Sequence, residues 1–170
     1  MLPVEVAHDD GGGWFCCSRK QSNATPNAPV LPWPRVETGD ICRNLKGEDM
    51  WCCMRATLGG DEVMLALVAD GHGGKDAASY CKQHVLNDVV KRAQHDGSTE
   101  AIGRACTKAF LDAHAQVRKI EGTTAGCTLT VCAFNETRGE ITTCNVGDSM
   151  ALLVPTGRGG KAFYLSLIHI

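Results

Sequence analysis

Long apolar runs are missing from this sequence: no stretch approaches the ~20 residues of a membrane-spanning helix, so no such span is expected. A large excess of charge of one sign is also missing. A formal net charge of −2 gives no basic field to draw nucleic acid or an anionic membrane, and partners are expected to be small or locally charged. Ten cysteines are present, yet none stands three residues from another, so the Cys-x-x-Cys half of a structural zinc site is absent. Met1 to Asp10 has neither the basic start nor the apolar core of a secretory signal. The thiols are therefore read as reduced and the protein as intracellular, cytoplasmic or nuclear. What remains is a chain of 170 residues, 44% hydrophobic, long enough for one domain with a sizeable core.

Residues 1–36 hold five of the six prolines and the triple glycine Gly11 to Gly13, which predicts a flexible leader before a domain at 37–166. The strongest local signal lies further on. Val63 to Ala69 is an apolar, β-branched run suited to a buried strand, and it stops abruptly at Asp70-Gly71-His72-Gly73-Gly74. Glycines let the backbone turn sharply and pass close to a ligand, so a carboxylate here is well placed to hold a hard cation. Met50 to Thr57 reads as an antiparallel partner strand, joined through a four-residue loop, Leu58-Gly59-Gly60-Asp61. With Thr57 facing Glu62, the register carries Asp49 opposite Asp70, with Glu48 alongside. Three carboxylates crowding one strand edge repel unless a cation neutralises them, so the hairpin argues for a metal site.

After Gly74 the apolar period changes to four: Ala77, Cys81, Val85, Val89 and Ala93 predict a helix with Asp76 at its positive end. A second helix is predicted from an N-cap at Ser98, with Ile102, Cys106, Ala109, Phe110, Ala113, Val117 and Ile120 on its core-facing stripe. His84, His95 and His114 on these helices read as surface residues. Cys127 to Phe134 and Glu140 to Val146 form a second predicted hairpin around a turn at Asn135 to Gly139. Pairing Phe134 with Glu140 sets Asp148 opposite Gly126, beside the small Gly122-Thr-Thr-Ala-Gly126 segment. Strand, strand, helix, helix, strand, strand excludes a regular βαβ alternation and predicts an α+β fold, its helix pair packed on an antiparallel sheet.

Glu48-Asp49, Val68-Ala-Asp-Gly-His-Gly-Gly74, Gly122-Thr-Thr-Ala125 and Asn145-Val-Gly-Asp-Ser149 together resemble, in order and rough spacing, the motifs of the PPM-type metal-dependent protein serine/threonine phosphatases, also called protein phosphatase 2C. The resemblance implies an antiparallel β-sandwich flanked by helix pairs in α-β-β-α layers, here incomplete, and a monomer acting on phosphoserine or phosphothreonine in proteins. It implies Mg²⁺ or Mn²⁺ as cofactor, two ions activating a water that attacks phosphorus, and a third, weaker ion. Asp70 would bridge the two ions, Glu48 and the Gly71 carbonyl would bind one of them, Asp49 would hold a metal-bound water, and Asp148 resembles the residue linked to the third. His72 matches the general acid and Arg43 the arginine that grips substrate phosphate.

The chain departs from that pattern in three places. Arg43 stands one residue further from Glu48 than is usual, Met150 replaces an arginine, and nothing after Asp148 is acidic although the family uses two later aspartates. A catalytically inactive phosphatase-like binding module is therefore kept as the alternative. The closing Leu165-Ser-Leu-Ile-His-Ile170 reads like a translated sequencing adapter, and 167–170 are expected to be a non-native or truncated tail. Cys132-x5-Arg138 formally fits the phosphate loop of cysteine phosphatases, but a thiol inside a strand and an arginine in a polar turn do not wrap an anion.

Overall fold

In chain order the protein forms strands Val4–Ala7 (β1), Trp14–Cys16 (β2), Gly39–Ile41 (β3), Met50–Leu58 (β4), Asp61–Ala69 (β5) and Gly71–His72 (β6). Helices Asp76–Ala93 (α1) and Thr99–Val117 (α2) follow, then strands Gly126–Cys127 (β7), Leu129–Asn135 (β8), Glu140–Val146 (β9), Met150–Leu153 (β10) and Phe163–Tyr164 (β11). The computed structural model describes residues 4–7, 14–16, 36–41, 46–154 and 161–165. Arg43 and the tail at 167–170 lie outside the described residues.

The strands build two larger antiparallel sheets, β4-β5-β8-β9 and β11-β10-β1-β2-β3, and the short pair β6-β7. Strand β5 explains why its sequence is apolar without alternation, because both of its faces are covered. Val63, Leu65, Leu67 and Ala69 point into a core shared with Val85 and Val89 of α1 and Ile102 and Cys106 of α2. Met64 and Ala66, on the opposite face, meet Phe134 of β8, Ala151 of β10 and Val36. The layers are thus helix pair, four-stranded sheet and second sheet, an α+β sandwich as expected. Among the described residues, one helix layer of the two is present. No helix among them is long and apolar enough to cross a membrane.

Both helices begin where the pattern predicts, and α1 buries its whole stripe, Ala77, Cys81, Val85, Val89 and Ala93. Along α2, Ile102, Cys106, Ala109 and Ala113 are buried, whereas Phe110 and Val117 are half-buried and Ile120 lies beyond the helix end. Ser98 caps α2 by accepting the Ala101 N–H at 3.2 Å, and its own N–H and hydroxyl both donate to Asp96. Those two bonds hold the Asp96 carboxyl below the usual carboxylate range.

Two expectations are corrected. The first hairpin keeps its predicted register, Thr57 facing Glu62, but its loop is the two residues Gly59-Gly60, because Leu58 and Asp61 already pair. Both glycines have positive φ, the requirement of a tight turn that matches strand twist. In the second hairpin Asn135 rather than Phe134 faces Glu140. The Asn135 side chain is responsible: its Oδ1 accepts the Thr137 and Arg138 N–H groups, and its carbonyl accepts the Gly139 N–H, which makes Asn135 the last strand residue. A slip of one residue flips every side chain to the other face, and it moves Asp148 away from Gly126. Within residues 1–36, Val4–Ala7 and Trp14–Cys16 are strands. Strand β1 pairs with β2 on one side and β10 on the other, so a segment too short to hold itself is recruited by distant partners.

Candidate metal and catalytic site

Asp70 is the residue at which β5 ends. Beyond it the chain turns into β6, where Gly71 pairs with Cys127 and His72 with Gly126. The approach of the Glu48 backbone makes glycine obligatory at position 71, since a Cβ there would collide with the Glu48 carbonyl oxygen. The ladder of β4 and β5 ends at Met50 facing Ala69, and the Glu48 backbone lies against Gly71, so half-buried Asp49 and Asp70 both stand at this strand end. The Glu48 carboxylate accepts the Gly74 N–H at 2.8 Å and so ties the glycine loop to the start of β4. Among the described residues no three His, Cys, Asp or Glu side chains converge closely enough to hold an ion. The donor set at this strand end is all oxygen, the Glu48, Asp49 and Asp70 carboxylates and the Gly71 carbonyl, which fits a hard divalent cation in chemistry.

The Gly-Thr-Thr-Ala-Gly segment belongs to this loop, whereas the sequence placed it beside Asp148. Gly73 and Gly74 both have positive φ, and Thr124 donates its hydroxyl to the Gly73 carbonyl at 3.4 Å. Thr123 donates to Asp76 Oδ2 at 2.9 Å, joining the segment to the first turn of α1. Gly126 lies under the His72 ring: a Cβ there would fall inside contact distance of Nε2 and 2.8 Å from Cε1. His72 itself is exposed.

Sequence reasoning missed the residue that organises the site. Thr128 donates its N–H to the Asp70 carbonyl at 2.8 Å, and its Oγ1 accepts the Asp70 N–H at 3.3 Å. The same hydroxyl lies 2.5 Å from Ser149 Oγ, and the pair is buried. Gly147 packs on the Thr128 methyl so closely that a Cβ would come within 2.8 Å of it. One threonine therefore joins the Asp-Gly-His-Gly-Gly loop to the Gly-Asp-Ser loop, and Asp148 is held exposed between Gly147 and buried Ser149. Nothing in an apolar strand sequence marks that threonine as a hub.

Thiols crowd the back of the loop. Cys81 and Cys127 share a hydrogen bond that pushes the Cys81 thiol up and Cys127 down, while burial and the Asp70 charge oppose the lowering at Cys127. Cys52 is pushed up to about 11 by burial. Cys132 is wholly buried in β8 and the Arg138 guanidinium is bound to Asp61 at 2.6 Å, so the cysteine phosphate-loop match has no structural basis.

The fold is that of an α+β sandwich domain in which a helix pair covers one sheet and loops meet where the central strand β5 ends. Within that class the chain belongs to the protein phosphatase 2C family, whose model, described as Protein phosphatase 2C, matches residues 47–166. It is 30% identical over 126 residues to probable protein phosphatase 2C 76 of Arabidopsis thaliana, covering 72% of this chain and 28% of that protein. To probable protein phosphatase 2C 40 of Oryza sativa subsp. japonica it is 30% identical over 141 residues, 80% of this chain and 30% of that protein. The chain thus spans under a third of the length of these two curated relatives.

Proposed function

We propose that residues 37–166 are the N-terminal part of a phosphatase domain that hydrolyses phosphoserine and phosphothreonine in proteins, in the cytoplasm or nucleus. The observation that carries this reading is the convergence on Thr128 of the Asp70 loop and the Asp148 loop, two segments far apart in sequence. Asp70, Glu48, Asp49 and the Gly71 carbonyl would hold Mg²⁺ or Mn²⁺, with Asp148 toward a further ion. Such ions, when bound, acidify water and offset the charge that develops on a phosphoryl group under attack. His72, exposed and seated on Gly126, is positioned to give a proton to the departing seryl or threonyl oxygen. Arg43, through its planar fork of donors, would grip phosphate oxygens. Glu48 has a further task here, closing the glycine loop through the Gly74 amide.

The test is hydrolysis of a phosphothreonine peptide by the chain alone and by a version continued to the length of its relatives, with Mn²⁺ and with excess chelator. Turnover is expected in the longer protein only with metal, and Asp70→Asn is expected to abolish it. Undiminished activity in chelator would sink the metal mechanism. Metal binding and phosphopeptide binding without turnover would favour the inactive binding module instead.

A further inference from the structure

Two cysteines that no catalytic role uses meet behind the site. Cys81 projects from α1, and Cys127 lies on β7, directly across the ladder from Gly71 and next to Thr128. Their Sγ atoms are 3.7 Å apart, although 46 residues separate them in sequence. A disulfide needs its sulfurs ~2.0 Å apart, so closure requires an approach of under ~2 Å, within the reach of two χ1 rotations. Cys81 is 3% exposed, whereas Cys127 is half-buried and offers the outer sulfur. Cys52 and Cys53 are engaged differently, Cys52 donating to the Lys82 carbonyl at 3.4 Å and Cys53 lying 3.7 Å from the Thr38 hydroxyl, whereas Cys106 and Cys144 form a second thiol pair away from β7.

We propose that Cys81 and Cys127 are a peroxide-reactive dithiol that closes to an intramolecular disulfide, fastening α1 to the strand that carries the Asp70–His72 loop. In the first step the Cys127 sulfur attacks one oxygen of hydrogen peroxide. The O–O bond breaks, Cys127 becomes a sulfenic acid, and the second oxygen leaves as water with the thiol proton. In the second, the Cys81 sulfur attacks the Cys127 sulfur, the S–O bond breaks, and the hydroxyl leaves as a second water with the Cys81 proton. The net change is two thiols and one peroxide to one disulfide and two waters. Each sulfur gives up one electron and the peroxide gains both. The product constrains β7, whose only ladder partner among the described residues is β6, and so fixes the position of Gly71 and His72 relative to α1.

Peptide mapping of the 170-residue chain after limited hydrogen peroxide tests this directly. The tryptic peptide Asp76–Lys82 is expected to be joined to Ile120–Arg138, with fragment ions placing the bond at Cys127 rather than Cys132, and dithiothreitol is expected to release it. In Cys81→Ala the sulfenic acid at Cys127 should persist and be trapped by dimedone; in Cys127→Ala, Cys81 should stay unmodified. A second bond between Cys106 of α2 and Cys144 of β9, which also share a hydrogen bond, would leave the proposal standing if the first is present. Oxidation of Cys127 to the sulfinic acid in the wild-type chain, or joining of Cys106 to Cys144 with Cys81 still free, would overturn it. Any loss of turnover on closure rests on the phosphatase reading, whereas the linked peptide does not, so the two can fail separately.

Discussion

Replacing Thr128 by valine removes one hydroxyl from the point where the two loops join. That hydroxyl is 2.5 Å from Ser149 Oγ and accepts the Asp70 N–H at 3.3 Å, and Thr128 and Ser149 are only 8% and 3% exposed. The lost bond from the Asp70 N–H is worth ~1 kcal/mol net, and stranding the buried Ser149 hydroxyl costs ~1–3 kcal/mol of uncompensated desolvation. The sum, ~2–4 kcal/mol, is a large part of the ~5–15 kcal/mol that holds an ordinary domain together. Urea unfolding should therefore show a lower midpoint with an unchanged slope; at a slope of ~2 kcal/mol/M the shift is ~1–2 M. Thr128→Val combined with Ser149→Ala removes both partners, so the two costs should fail to add by ~1–2 kcal/mol. A Thr128→Val midpoint within error of the parent, or strict additivity in the double variant, would show that the hydroxyl pair does not organise these loops.

Gly126→Ala should leave stability within ~1 kcal/mol, because its φ is not in the left-handed region, yet the new Cβ drives the His72 ring aside by ~1 Å, which can cost ~100-fold in turnover. If His72 is the proton donor, Gly126→Ala and His72→Ala should both slow alkyl phosphoesters far more than aryl ones, and equal losses on the two substrates would remove His72 from that role. Arg55→Met strands the Glu136 carboxylate, which is 2% exposed and bound to Arg55 at 2.5 Å and to the Val36 N–H. Urea unfolding should report a loss of ~3 kcal/mol, at the lower end for a broken buried pair because Arg55 is partly exposed, and a loss below ~1 kcal/mol would contradict the reading.

The sequence by itself determined whatever depends on neighbours along the chain. The period of four in Ala77 to Ala93 specified a helix and its buried face, Ser98 specified a cap, and Gly59-Gly60 between two strand patterns specified a hairpin in which Thr57 faces Glu62. Asp70 to Gly74 was legible as a sharp turn after a buried strand, and β5 does end at Ala69. Tertiary structure decided the rest. Strand β1 exists because β10 and β2 flank it, the second hairpin's register depends on how one asparagine side chain closes its turn, and Gly-Thr-Thr-Ala-Gly docks on the Asp70 loop rather than beside Asp148. Thr128 and the Cys81–Cys127 contact are of the same kind. A threonine in an apolar strand and a cysteine on a helix stripe each read locally as ordinary packing, and their partners lie far along the chain. Sequence pattern reports which face a residue takes, but only the closing of those long loops by the packed core decides what it meets there.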